Sequence, residues 1–78
     1  MQLGELKLGE SAVVVNVAGE GQLRKRFLDL GITKGTRVSM ARIAPFGDPV
    51  EIQLRGYRLT LRKAEAAIVD IDPSEGSE

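Results

Sequence analysis

A chain of 78 residues with neither cysteine nor histidine can form no disulfide and no thiolate metal site, and it lacks both the commonest transition-metal ligand and the commonest general base. Eleven basic residues balance eleven acidic ones, and the only aromatics are Phe27, Phe46 and Tyr57, so the cationic field that draws proteins onto phosphate backbones and the stacking platform that holds bases are both poorly supplied. The length predicts one small domain with a modest core, and no apolar run reaches the roughly 20 residues of a membrane span, so a soluble, cytoplasmic protein is expected.

Residues 1–10 read as an irregular lead-in whose Leu3, Leu6 and Leu8 cover an edge of the core, with Gly9 turning the chain into a first strand. The Val-rich, β-branched run Ser11–Val17 predicts that strand. Four consecutive apolar residues, Ala12, Val13, Val14 and Val15, require either a bulge or burial on both faces. Gly19, Glu20 and Gly21 end it, and Glu20 stands where a carboxylate favours a helix N-terminus.

Residues 22–30 predict a short helix with Leu23, Phe27 and Leu30 on one stripe and Gly31 at a left-handed C-terminal cap. Leu28 lies about 140° around the helix from Leu23. It is therefore either a second packing contact or an exposed contact for a partner. After a connecting turn at residues 32–35, residues 36–43 predict a strand with Val38 and Met40 on one face. Ile43 breaks that parity, which places a bulge near Ala41 or Arg42.

A loop with two prolines, Pro45 to Pro49, leads into two runs of period-two alternation. Val50, Ile52 and Leu54 point one way and Glu51, Gln53 and Arg55 the other, and Leu59 and Leu61 then alternate with Arg58, Thr60 and Arg62. An antiparallel hairpin follows. A two-residue turn at Gly56 and Tyr57 would set Leu54 opposite Leu59, Ile52 opposite Leu61 and Glu51 opposite Arg62. Lys63–Ala66 predicts a single helical turn, and residues 67–71 a closing strand with Val69 and Ile71 inward. The domain is expected to end at residue 72, leaving residues 73–78 as a disordered polar tail. The fold class is mainly β, a small Src-homology-3-like barrel of about five strands with one short helix inserted after the first.

In order and spacing, the Gly9 lead-in, LRKRFLDLGI at residues 23–32, KGTRV at 34–38, APFGDPVEI at 44–52 and LTLRKAEA at 59–66 resemble the FeoA family of ferrous iron transport proteins over nearly the whole chain. The resemblance implies a cytoplasmic accessory protein of the Feo ferrous iron uptake system. Its implied partner is FeoB, a membrane transporter carrying a cytoplasmic GTPase domain. It also implies a family-level association with transition metal ions, without a visible site. A related domain ends iron-dependent repressors, so the alternative is a regulatory or nucleic-acid-binding small barrel. That alternative rests on fold analogy, and the chain shows no winged-helix region.

The candidate partner contacts are Leu28, Phe46, Arg24, Pro45, Asp48 and Pro49. Phe46 either stands out from the proline-braced loop or folds back to cap the barrel, and Asp48 is expected to hydrogen-bond its own turn. The run Arg24, Lys25, Arg26 either meets an acidic surface on a partner or anionic lipid heads, or forms the solvated side of the helix, with Lys25 paired to Asp29. The carboxylates are scattered, so no metal-ligating set is expected. Gly19-Glu20-Gly21 lacks the Lys-Ser/Thr of a phosphate-binding loop. No catalytic residue, cofactor or enzymatic activity is expected.

Overall fold

Alternation of small β-branched and polar residues builds a single antiparallel sheet, described by a computed structural model for residues 1–73. A 3-10 turn at Leu3–Glu5 precedes β1 (Ser11–Val17), α1 (Gln22–Asp29), β2 (Arg37–Ile43), β3 (Val50–Leu54), β4 (Tyr57–Leu61), α2 (Lys63–Ala66) and β5 (Val69–Asp72). The strand order is β4-β3-β2-β1-β5. The short α2 carries the chain from one edge of the sheet to the other. The lead-in packs beside β5, where Gln2 bridges Asp70 and the Ile71 N–H donates to the Met1 carbonyl at 2.7 Å.

The inward positions of every strand meet in one core with Leu3, Leu6, Phe27, Ile32 and Ala66. Two strands carry a bulge. In β1 the register shifts between Val14 and Asn16, which turns Val15 outward and returns Val17 to the core. In β2 it shifts between Met40 and Arg42, at Ala41. Both bulges answer the breaks of parity in the sequence.

The hairpin register differs from the expected one. Leu54 pairs with Tyr57, Ile52 with Leu59, Glu51 with Thr60 and Val50 with Leu61. The turn is therefore Arg55-Gly56, both at positive φ, +45° and +85°, the pattern of a type I′ turn whose twist matches the flanking strands. Because the slip is two residues, every side chain keeps its face. Arg55 tolerates the left-handed conformation because its guanidinium is anchored elsewhere in the fold.

On α1 the sequence stripe is only partly right. Phe27 is fully buried, and Leu23 and Leu28 pack against the core. Leu30 is only half-buried and lies outside that cluster. As the C-cap residue it sits where the chain leaves the helix, beyond the reach of the sheet. Glu20 falls one residue before the Gly21 cap, outside the first turn. Leu8 is 64% exposed and covers nothing. The Lys25–Asp29 pair does not form; the ion pairs among the described residues are Arg26–Glu65 at 3.8 Å and Arg58–Glu51 at 3.7 Å. β2 begins at Arg37, one residue later than expected, and β5 is Val69–Asp72 with Val69 and Ile71 inward. The tail, apart from Pro73, lies outside the described residues.

Candidate functional site

The loop between β2 and β3 is held by three bonds that leave its aromatic residue free. The Gly47 N–H donates to the Ala44 carbonyl at 2.7 Å, closing a turn in which Pro45 takes the position that favours its fixed φ. At the base, the Ala44 N–H donates to the Pro49 carbonyl at 3.1 Å, and Asp48-Pro49 is cis. Asp48 does not bond its own turn as expected. Its Oδ1 accepts the Lys63 N–H at 3.0 Å, one of the donors that the first turn of α2 leaves unpaired. The reason is spatial: the loop and the start of α2 lie at the same end of the β3–β4 hairpin.

Phe46 takes no part in this bracing and is 100% exposed, so the lid alternative is excluded. Ile43, just before the loop, is also exposed. Beside them is a depression of about 180 Å³ lined by Arg42, Ala44, Pro49, Val50, Glu51 and Thr60. Its lining is mixed: Ala44, Pro49 and Val50 are apolar, Thr60 is polar, and Arg42 and Glu51 bring one cation and one anion.

The opposite end of the hairpin is occupied differently. Arg55 Nε donates to the Gly31 carbonyl at 3.1 Å, and its terminal nitrogen to Thr36 Oγ1 at 2.8 Å and Thr33 Oγ1 at 3.2 Å. The Tyr57 hydroxyl donates to the Leu30 carbonyl. These contacts pin the C-terminal end of α1 to the hairpin tip. Sequence reasoning missed them, and the one local signal was an arginine immediately before a turn glycine.

Of the six expected contact residues, Pro45, Phe46, Asp48 and Pro49 are therefore together at one end of the hairpin. The other two belong to α1. Arg24 Nε donates to the Val17 carbonyl at 3.0 Å, fixing the helix to the end of β1, and Leu28 packs against the core. The five residues of β3 span roughly 13 Å between the loop and the tip that holds α1, so the six do not form one continuous patch. The outer surface of α1 is a shallow open furrow between Gln22, Leu23, Lys25, Arg26, Asp29 and Leu30.

Among the described residues no three His, Cys, Asp or Glu side chains are gathered as a metal site. No helix among them is long and apolar enough to cross a membrane.

A family model, the FeoA domain, matches residues 1–73. A Porphyromonas gingivalis protein described as an Fe(2+) transport protein A/Fe(2+) transporter FeoB fusion is 38% identical over 72 residues, which are 92% of this chain and 8% of that protein. The solution structure of FeoA from Chlorobium tepidum is 41% identical with a TM-score of 0.88, covering all of this chain and 74% of that one. The crystal structure of Stenotrophomonas maltophilia FeoA complexed with zinc is 35% identical with a TM-score of 0.86, covering 100% of this chain and 95% of that one. That protein is described as a prokaryotic Src-homology-3 domain protein, the fold class expected from the sequence.

Proposed function

Because this chain belongs to the FeoA domain family, we propose that it is a small cytoplasmic accessory protein of ferrous iron uptake that works by binding an FeoB-type transporter through the Phe46 loop. The observation that carries this reading is the Porphyromonas gingivalis fusion, in which a relative of this chain and a transporter are one polypeptide. Covalent linkage raises the local concentration of one module around the other to the millimolar range. It benefits proteins that act by touching each other.

The loop supplies what such a contact needs. A fully exposed phenylalanine gains about 1.5 to 3 kcal/mol when its side chain is removed from water. The backbone bonds and the Asp48 contact order the loop in advance, so little conformational freedom is lost on docking. Nothing in this mode of action calls for catalysis or a resident metal; ferrous iron is the transporter's cargo. The transporter's cytoplasmic, GTPase-bearing part is the proposed site of contact.

The test is retention of purified transporter, and separately of its cytoplasmic part, on immobilised chain at low and at high salt. Retention at both salt concentrations is expected, because an apolar contact survives screening whereas phosphate-backbone binding falls steeply with salt. Failure to retain either form, or retention of nucleic acid that disappears at high salt, would overturn the proposal.

A further inference from the structure

The depression beside the loop is the right size for the side chain that stands next to it. It measures about 180 Å³, and a protein cavity of about 150 Å³ already accommodates a benzene ring. Its apolar lining is Ala44, Pro49 and Val50, the last only 1% exposed, and Thr60 lines it beside the two charged residues. Phe46 is two residues from Ala44 and three from Pro49 in the same loop, yet it is 100% exposed and leaves its own depression empty.

The charges on the rim match the same occupant. Arg42 and Glu51 are directly opposite on β2 and β3. Arg42 has no ion-pair partner among the described residues, while Glu51 is held only by Arg58, at 3.7 Å. One cation beside one anion is self-complementary under a two-fold axis, which sets each residue against its opposite in the other copy. A partner of one dominant charge would find no such match. The chain's formal net charge of +0 adds no long-range repulsion between copies.

We propose that two copies of this chain associate about a two-fold axis at the β2–β3 loop, each Phe46 ring seated in the other's depression and each Arg42 facing the other's Glu51. The contact is small beside the roughly 1,200 Å² or more of a stable interface, so the association is weak and reversible. Since it covers Phe46, it competes with any other partner of that side chain.

Sedimentation equilibrium of the isolated chain over a wide concentration range tests this without the transporter. The parent is expected to move from monomer toward dimer with concentration, and Phe46→Ser to weaken that self-association by at least about tenfold. Arg42→Glu and Glu51→Arg, each bearing two like charges on its rim, should each remain monomeric. Mixed in equal amounts they should associate with each other, because every rim contact is then between opposite charges. A parent that stays monomeric at all concentrations, a Phe46→Ser variant that associates like the parent, or a mixture no more associated than its two components would overturn the proposal. Loss of transporter retention with dimerisation intact would instead overturn only the proposed function.

Discussion

Arg55, in the left-handed first position of the β3–β4 turn, donates its Nε proton to the carbonyl of Gly31, just past the Leu30 cap of α1, across 24 positions of sequence. The same guanidinium reaches the hydroxyls of Thr33 and Thr36, and Thr36 is 5% exposed. One side chain thus ties the hairpin tip to the helix terminus. The strain of its backbone is sustained by the contacts the conformation makes possible.

Replacing Arg55 separates these two effects. Arg55→Ala loses the bonds and keeps the strain, and should lower stability by about 1 to 3 kcal/mol. Arg55→Gly loses the same bonds but takes the positive φ freely, so it should be the milder change by about 1 kcal/mol. Urea titrations of the two variants and the parent measure the difference. Arg55→Gly less stable than Arg55→Ala would show that the turn is not strained.

Gly31 adopts φ +98°, and a Cβ there would stand 2.9 Å from Arg55 Cδ. Gly31→Ala is therefore expected to destabilise by about 1 to 3 kcal/mol, from backbone strain and from displacement of the arginine. Combined with Arg55→Ala the losses should be less than additive, because the second change removes the group that the first displaces. Thermal melts of the four proteins of the cycle give the coupling. Strict additivity would mean that the two residues do not share a contact energetically.

Asp48 accepts the first N–H of α2 from a loop 15 residues away. Asp48→Ala should cost about 1 kcal/mol, the typical loss when a helix terminus forfeits its side-chain acceptor, and Asp48→Asn should recover most of it because an amide oxygen can still accept. Hydrogen exchange at Lys63 should rise in the alanine variant before exchange in β3 does. Unchanged protection at Lys63 would remove Asp48 from this role.

What was legible in the sequence and what was not divides along contact range. The strands could be read because burial repeats every second residue, and the β2 bulge near Ala41 because an apolar residue fell out of parity, whereas four consecutive apolar residues in β1 left a bulge and two-sided burial equally open. The hairpin turn was placed one residue late, since two registers differing by two residues put the same side chains inside. The reach of Arg55 to Gly31 and of Tyr57 to Leu30, absent from any local pattern, accompanies the observed one. The partner of Asp48 was hidden for the same reason. On α1 the exchange of Leu28 for Leu30 in the core depends on how the helix end is held against the hairpin tip. Helical periodicity says nothing about that. The proline-braced loop was visible as rigid, but no local pattern says whether Phe46 points in or out.

Leu28 and Phe46, both expected from sequence to meet a partner, should now behave oppositely. Leu28 packs against the core, so Leu28→Gln should cost about 1 to 3 kcal/mol of stability by placing a polar group against apolar neighbours. Its effect on capture of the transporter should disappear at temperatures where the variant is fully folded. Phe46 makes no contribution to the interior, so Phe46→Ser should melt with the parent, within about 0.5 kcal/mol. It should nevertheless weaken capture by at least about 1 kcal/mol at concentrations where the chain is monomeric. Melting curves and binding isotherms on the same preparations keep the two quantities apart. A Phe46→Ser variant that captures the transporter at parental affinity would move the contact elsewhere, most directly to the outer face of the hairpin, where Glu51 pairs with Thr60 and Gln53 with Arg58. A Leu28→Gln variant that melts normally and still fails to bind would restore α1 as part of the docking surface, despite the roughly 13 Å of β3 that separates its anchored end from the loop.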